Sequence, residues 1–146
     1  MVFNILVDNT DDHEKKHALL VVNPTDNGKL RLAPAYDVLP TNSGQGFQEY
    51  ICGADGRDST LSNAMSQCEA FGLSTAEAAQ MVAQIIRVVD TWHAHFESVG
   101  VTQKDLGSLA ERIDGDELLN QRRTFDPQRY QRPAPKRKPT SPFRRT

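Results

Sequence analysis

Two short β-prone runs, "HALLVVN" at 17–23 and "KLRLAP" at 29–34, flank the segment "PTDNG". Asn27-Gly28 favours positive φ at the turn, so the pattern predicts a β-hairpin. Pro34 has no N–H to give to a ladder, which ends the second strand near Ala33. A hairpin returns the chain to its starting point, so the segment before the first strand must lie beside the segment after the second. The earlier segment is "NTDDHEKK", residues 9–16, where two aspartates, a histidine, a glutamate and two lysines stand in consecutive positions. The later segment is "PAYDVLPT", with Asp37 between Pro34 and Pro40.

Elsewhere the chain reads as helix. The opening "MVFNILV" is apolar without clear period and suits either a short strand or the last turns of a buried helix. "NSGQGFQEYICGADGRDS" reads as an extended loop. Residues 60–71 predict a helix closed by Gly72. Ser74 with Glu77 forms a capping box. Behind it Ala78, Val82, Ile85, Val89, Trp92, Phe96 and Val99 recur at steps of three and four, predicting one long amphipathic helix that ends at Gly100. Thr102 with Asp105 starts another helix, burying Leu106, Leu109, Ala110 and Ile113, and 114–124 adds a short last one. The expected class is α+β: a loop and hairpin followed by a mainly helical bundle.

Charge divides the chain. Seven of the 17 basic residues follow Asp126, while 18 of the 19 acids precede it, so residues 126–146 carry +6 and the rest −8. The tail is proline-rich with almost nothing to bury and is expected to be disordered. Its cations with Tyr130 and Phe143 permit weak, salt-sensitive contact with nucleic acid; a solubilising tail is the simpler reading. No apolar run approaches the ~20 residues of a membrane span. "MVFNILVDN" lacks the basic start of a signal peptide, which points to the cytoplasm and to free thiols at Cys52 and Cys68. The residues 1–125 make one domain. His93 and His95, two apart, do not share a helix face, and Trp92 reads as core.

The order of parts, charged loop, hairpin, then aspartate, is that of a protein-kinase catalytic lobe. There an Asp in the loop accepts the substrate proton, an Asn five residues on holds a second Mg²⁺, and an Asp beyond the hairpin holds the first. "FNILVDNTDDHEKK" followed by "LAPAYDVLPT" resembles the C-terminal lobe of HipA-like serine/threonine kinases, toxins of bacterial toxin–antitoxin pairs, over about residues 1–125. The resemblance implies Asp11 as catalytic base, His13 and Lys15 as supporting loop residues near the phosphates, and Asp37 as the Mg²⁺ ligand. It also implies ATP and Mg²⁺ as cofactors and a helix-turn-helix antitoxin as partner. The implied substrate is a protein of the translation machinery, such as an aminoacyl-tRNA synthetase.

Two departures bear on activity. Lys16 stands where the family has Asn; an ammonium only donates and cannot ligate a metal, so it either impairs the second metal position or substitutes for its charge. The chain also holds no glycine-rich phosphate loop and no strand lysine for the nucleotide. The resemblance therefore implies an N-terminally truncated lobe that is inactive alone, needs an N-terminal kinase lobe, and leaves the "MVFNILV" face uncovered. The competing class is a non-catalytic remnant or binding module.

Overall fold

The computed structural model describes residues 1–23, 28–41 and 46–131. Its elements are helix α1 (Val2–Leu6), a 3-10 turn (Glu14–Lys16), strands β1 (Leu19–Asn23) and β2 (Lys29–Leu32), and helix α2 (Leu61–Met65). A second 3-10 turn (Cys68–Phe71) leads into α3 (Thr75–Val89), α4 (Trp92–Ser98), α5 (Gln103–Ile113) and α6 (Asp116–Thr124), and a third 3-10 turn (Pro127–Tyr130) comes last. The class is α+β, as expected.

The opening segment is a helix. Ile5 N–H donates to Met1 O at 3.0 Å and Val7 N–H to Phe3 O at 3.1 Å. Ile5 and Leu6 are fully buried, each contributing about 1.5–3 kcal/mol by removal from water. Its inner face thus joins the core while Phe3 stays exposed, and a larger apolar surface is uncovered on the hairpin.

β1 and β2 pair antiparallel with Leu19 opposite Leu32, Leu20 opposite Arg31 and Val21 opposite Leu30, and the register shifts between Val21 and Asn23. Ala33 N–H adds one more bond, to Ala18 O at 2.8 Å, and Pro34 ends the ladder. Gly28 has φ +64°, in keeping with the positive φ expected at the turn; Asn27 lies outside the described residues. Side chains alternate across a pleat, so Leu19, Val21, Leu30 and Leu32 form one face, and all four are more than half exposed.

The long amphipathic helix expected to run to Gly100 is two helices. α3 stops at Val89, and Thr91 N–H bonds Val88 O, a tighter i→i+3 link. Three causes converge. Val88, Val89, Asp90 and Thr91 are all poor helix formers; the Thr91 hydroxyl also donates to Val88 O, at 2.8 Å; and Arg122 Nε pulls on Asp90 Oδ1 at 2.9 Å. The break rotates the apolar stripe. Ile86, not Ile85, is buried beside Val82 and Val89, and Val99 is exposed. The expected helix over 60–71 is likewise shorter: α2 followed by a 3-10 turn, with Thr60 Oγ1 accepting from Asn63 N–H at 3.1 Å.

α3 is the centre of the bundle, packing on α1, α2 and the last 3-10 turn, while α4 packs on α5. Its capping box forms as expected, Ser74 Oγ accepting from Glu77 N–H and Glu77 Oε2 accepting from Ser74 N–H. Arg122 is buried on α6 and clamps the bundle, reaching Asp90, Ile113 O and Asp114; Trp92 Nε1 donates to Asp114 from the other side. The described chain continues in packed structure beyond 125. Asp126 caps the last turn through Gln128 N–H, and Tyr130 stacks on Phe125 at 5.6 Å. That aromatic pair supplies the apolar area the tail composition hid. Residues 132–146 lie outside the described part.

The loop from 46 to 59 is held from within. Asn63 is fully buried; its Nδ2 donates to Gly56 O and Asp58 O, and its Oδ1 accepts from Asp55 N–H. A Cβ at Gly53 would fall 1.9 Å from Asn63 O, so only glycine fits there.

Candidate functional site

The charged loop leaves α1 at Asp8, whose φ of +58° is unusual outside glycine. Three bonds then fasten it to the segment after the hairpin. Thr41 N–H donates to Asp8 O at 2.8 Å, Thr41 Oγ1 donates to the same carbonyl at 3.0 Å, and Thr10 N–H donates to Thr41 Oγ1 at 3.2 Å. A fourth link joins the loop to the next one, Glu49 N–H to Thr10 O at 3.2 Å. On the hairpin side Tyr36 Oη donates to Lys15 O at 2.7 Å. These bonds set the two aspartate-bearing loops edge to edge.

Within that frame the structure brings together four of the five residues singled out from the sequence. Lys16 Nζ lies 3.1 Å from Asp11 Oδ2 and also contacts Asp37 Oδ2. His13 Nε2 is 3.5 Å from the other oxygen of Asp11. The lysine is the sheltered member, its side chain 17% exposed against 52% for Asp11 and 51% for Asp37. The hydrogen bond to Asp37, then that to Asp11, hold the Lys16 ammonium above the usual lysine value. Asp37 itself sits at φ +54°, backbone strain of the sort that surrounding structure must enforce.

His13 has a second task. Its Nδ1 accepts from Lys15 N–H at 3.2 Å and so starts the 3-10 turn. Lys15 contributes its backbone to the Tyr36 bond, and its residue is exposed.

Sequence reasoning missed four participants. Tyr36, Thr10 and Thr41 are ordinary residue types whose role depends on contacts across 21 to 33 positions. Asp12 is adjacent to Asp11 and of the same type, so nothing local tells the two apart. It is buried, its side chain 4% exposed, with the Met1 amino group at 3.7 Å and His17 Nε2 at 3.6 Å. Asp12 therefore points inward, toward a cavity of about 260 Å³ that Asn4, Asn9 and Lys16 also line, while Asp11 faces solvent.

Whether metal fits can be judged from the donors. Among the described residues no three His, Cys, Asp or Glu side chains converge. Mg²⁺ is held by one or two carboxylates with phosphate oxygens and water completing its shell. A second ion between Asp11 and Asp37 does not fit, because the Lys16 ammonium is there. Asp37 alone could contribute one carboxylate to a single ion whose shell other groups would complete.

The family model for the HipA-like C-terminal domain matches residues 1–92. The chain belongs to the HipA-like C-terminal domain family. The match spans the charged loop, the hairpin, Asp37 and the helices through the start of α4; α5 and α6 lie beyond it. No curated protein and no solved structure shows a significant match. No helix among the described residues is long and apolar enough to cross a membrane. Cys52 and Cys68 are buried free thiols, and burial pushes the Cys52 thiol up, away from reactivity.

Proposed function

We propose that this HipA-like chain is the catalytic-loop half of a serine/threonine protein kinase of the toxin type, silent by itself. The observation that supports it best is the convergence of Asp11 and Asp37, 26 positions apart, on one cation at the foot of the hairpin. Asp11 is the base: half exposed and paired with His13 and Lys16, it accepts the proton of a substrate hydroxyl as the phosphoryl group transfers. Asp37 is the single residue that would hold Mg²⁺. ATP with Mg²⁺, when bound, supplies the phosphoryl group and the neutralisation of its charge. Phosphoryl transfer depends almost entirely on positioning and electrostatics, so a nucleotide-gripping lobe must be supplied, on the same polypeptide or another.

By family resemblance the substrate is a protein of the translation machinery such as an aminoacyl-tRNA synthetase, and the partner a helix-turn-helix antitoxin. The test is transfer of labelled γ-phosphate with a HipA-like N-terminal lobe added. Transfer that needs both lobes and is lost in Asp11→Asn and Asp37→Asn is the expected result. Transfer that survives both substitutions, or a Mg·ATP thermal shift of this chain alone, contradicts the reading.

A second reading, a non-catalytic module that docks to a kinase lobe or an antitoxin, draws on the hairpin face of Leu19, Val21, Leu30 and Leu32. An uncovered apolar face on a two-stranded sheet suits a docking surface. Complex formation without any transfer would favour it.

A further inference from the structure

We propose that Lys16 is a resident cation, holding Asp11 and Asp37 together and closing the pair to free divalent metal. The inference stands on the geometry of three side chains and not on the phosphotransfer reading.

Two carboxylates brought together from separate loops repel each other unless a positive charge lies between them. Here that charge is built in. Lys16 Nζ contacts one oxygen of each acid. Three features distinguish this from a solvated surface pair, which would be worth little. The cation is the most sheltered of the trio, its side chain 17% exposed where both acids are about half exposed. The backbone on both sides is tied, since Tyr36 Oη donates to Lys15 O and Ala33 N–H donates to Ala18 O, so the lysine stem and the Asp37 segment cannot drift apart. Asp37 also sits at φ +54°, a left-handed turn conformation that few residues other than glycine, asparagine and aspartate adopt. The ammonium thus sits at the point to which both acids turn an oxygen, and a divalent ion arriving alone would meet a fixed positive charge there.

The consequence is a difference in metal affinity. A fixed positive charge this close to a carboxylate repels an arriving cation in proportion to that cation's charge. For a divalent ion, removing the Lys16 charge should tighten binding by at least about tenfold.

The experiment is Mn²⁺ titration of the full chain, followed by electron paramagnetic resonance, without nucleotide. Wild type, Lys16→Gln and Lys16→Met are compared, each also with Asp37→Asn to subtract ions bound elsewhere, and circular dichroism checks the fold. The expected result is an Asp37-dependent Mn²⁺ site in the Gln or Met variant, at least about tenfold tighter than in wild type. Equal Asp37-dependent binding by wild type and the neutral variants overturns the proposal, as does its absence from both folded variants. Should neither variant fold, wild type alone decides: an Asp37-dependent Mn²⁺ site of millimolar or better affinity overturns the proposal, and none upholds it. Loss of phosphotransfer in a two-lobe assay would leave each of these outcomes unchanged.

Discussion

The hydroxyls of Thr10 and Thr41 meet at 2.6 Å, joining the charged loop to the segment beyond the hairpin across 31 positions. The same Thr41 oxygen accepts from Thr10 N–H and donates to Asp8 O. One side chain therefore fastens the loop carrying Asp11 to the segment carrying Asp37.

Thr41→Val keeps the shape of that side chain and removes its oxygen. It removes the acceptor that Thr41 Oγ1 offers Thr10 N–H and one of the two donors to the Asp8 carbonyl, in a partly buried place. A loss of about 1–3 kcal/mol in unfolding free energy is expected, measured by urea denaturation at unchanged m-value. Thr41→Ser, which keeps the hydroxyl, should recover most of it; a loss in Thr41→Ser as large as in Thr41→Val would show that the hydroxyl's bonds do not set the effect.

Arg122→Ala removes the buried clamp between Asp90, Asp114 and Ile113 O. Both acids keep partial exposure, at 52% and 36%, and can rehydrate, so the cost falls below that of a fully buried pair. About 2–4 kcal/mol is expected from the lost bonds and the space left behind. Asp90→Asn should cost markedly less, since the arginine keeps its other two partners. Thermal unfolding of the two variants side by side checks the order.

Glu77 lies below the ordinary glutamate value of 4.5, first because the Ser74 hydroxyl bonds its carboxylate and then because the Ser74 backbone N–H does. A depressed folded value means that the unfolded chain binds the proton more readily. The contribution is therefore present above pH 4.5 and is lost as pH falls through the lowered value. Melting temperature should drop on acidification below pH 4.5, with a shallower drop in Glu77→Gln. Parallel curves for the two proteins would mean that the capping box does not set the acid limb.

Asp11→Asn, in a two-lobe kinase assay, should lower the transfer rate by about 10²–10⁴, the range for loss of a general base. With half its side chain exposed, Asp11 should add little to stability, and the melting temperature should hardly move. A large stability loss with modest rate loss would reassign it as a structural residue.

The hairpin was legible because each of its signals is local: a turn dipeptide, flanking β-branched residues, a proline that ends the ladder. The capping box at Ser74–Glu77 and the Thr102 cap were legible for the same reason, all their partners lying within three residues. Asp11 and Asp37 could be placed together because a hairpin necessarily returns the chain. Their separation, and the lysine that bridges them, could not be placed in that way.

The break at Asp90–Thr91 shows where local reading stops. Three-and-four spacing continues through it, but Arg122, 32 positions away, engages Asp90 and helps to turn the chain. Asp12 and Asp11 are adjacent and chemically the same, yet one is buried beside His17 and the other faces solvent. The sequence by itself determined the succession of loop, hairpin and helices, because turns, caps and prolines act on their neighbours. Only the tertiary structure decided which acid turns outward and that Lys16 lies between Asp11 and Asp37, because burial and long-range bonds depend on residues brought together from distant parts of the chain.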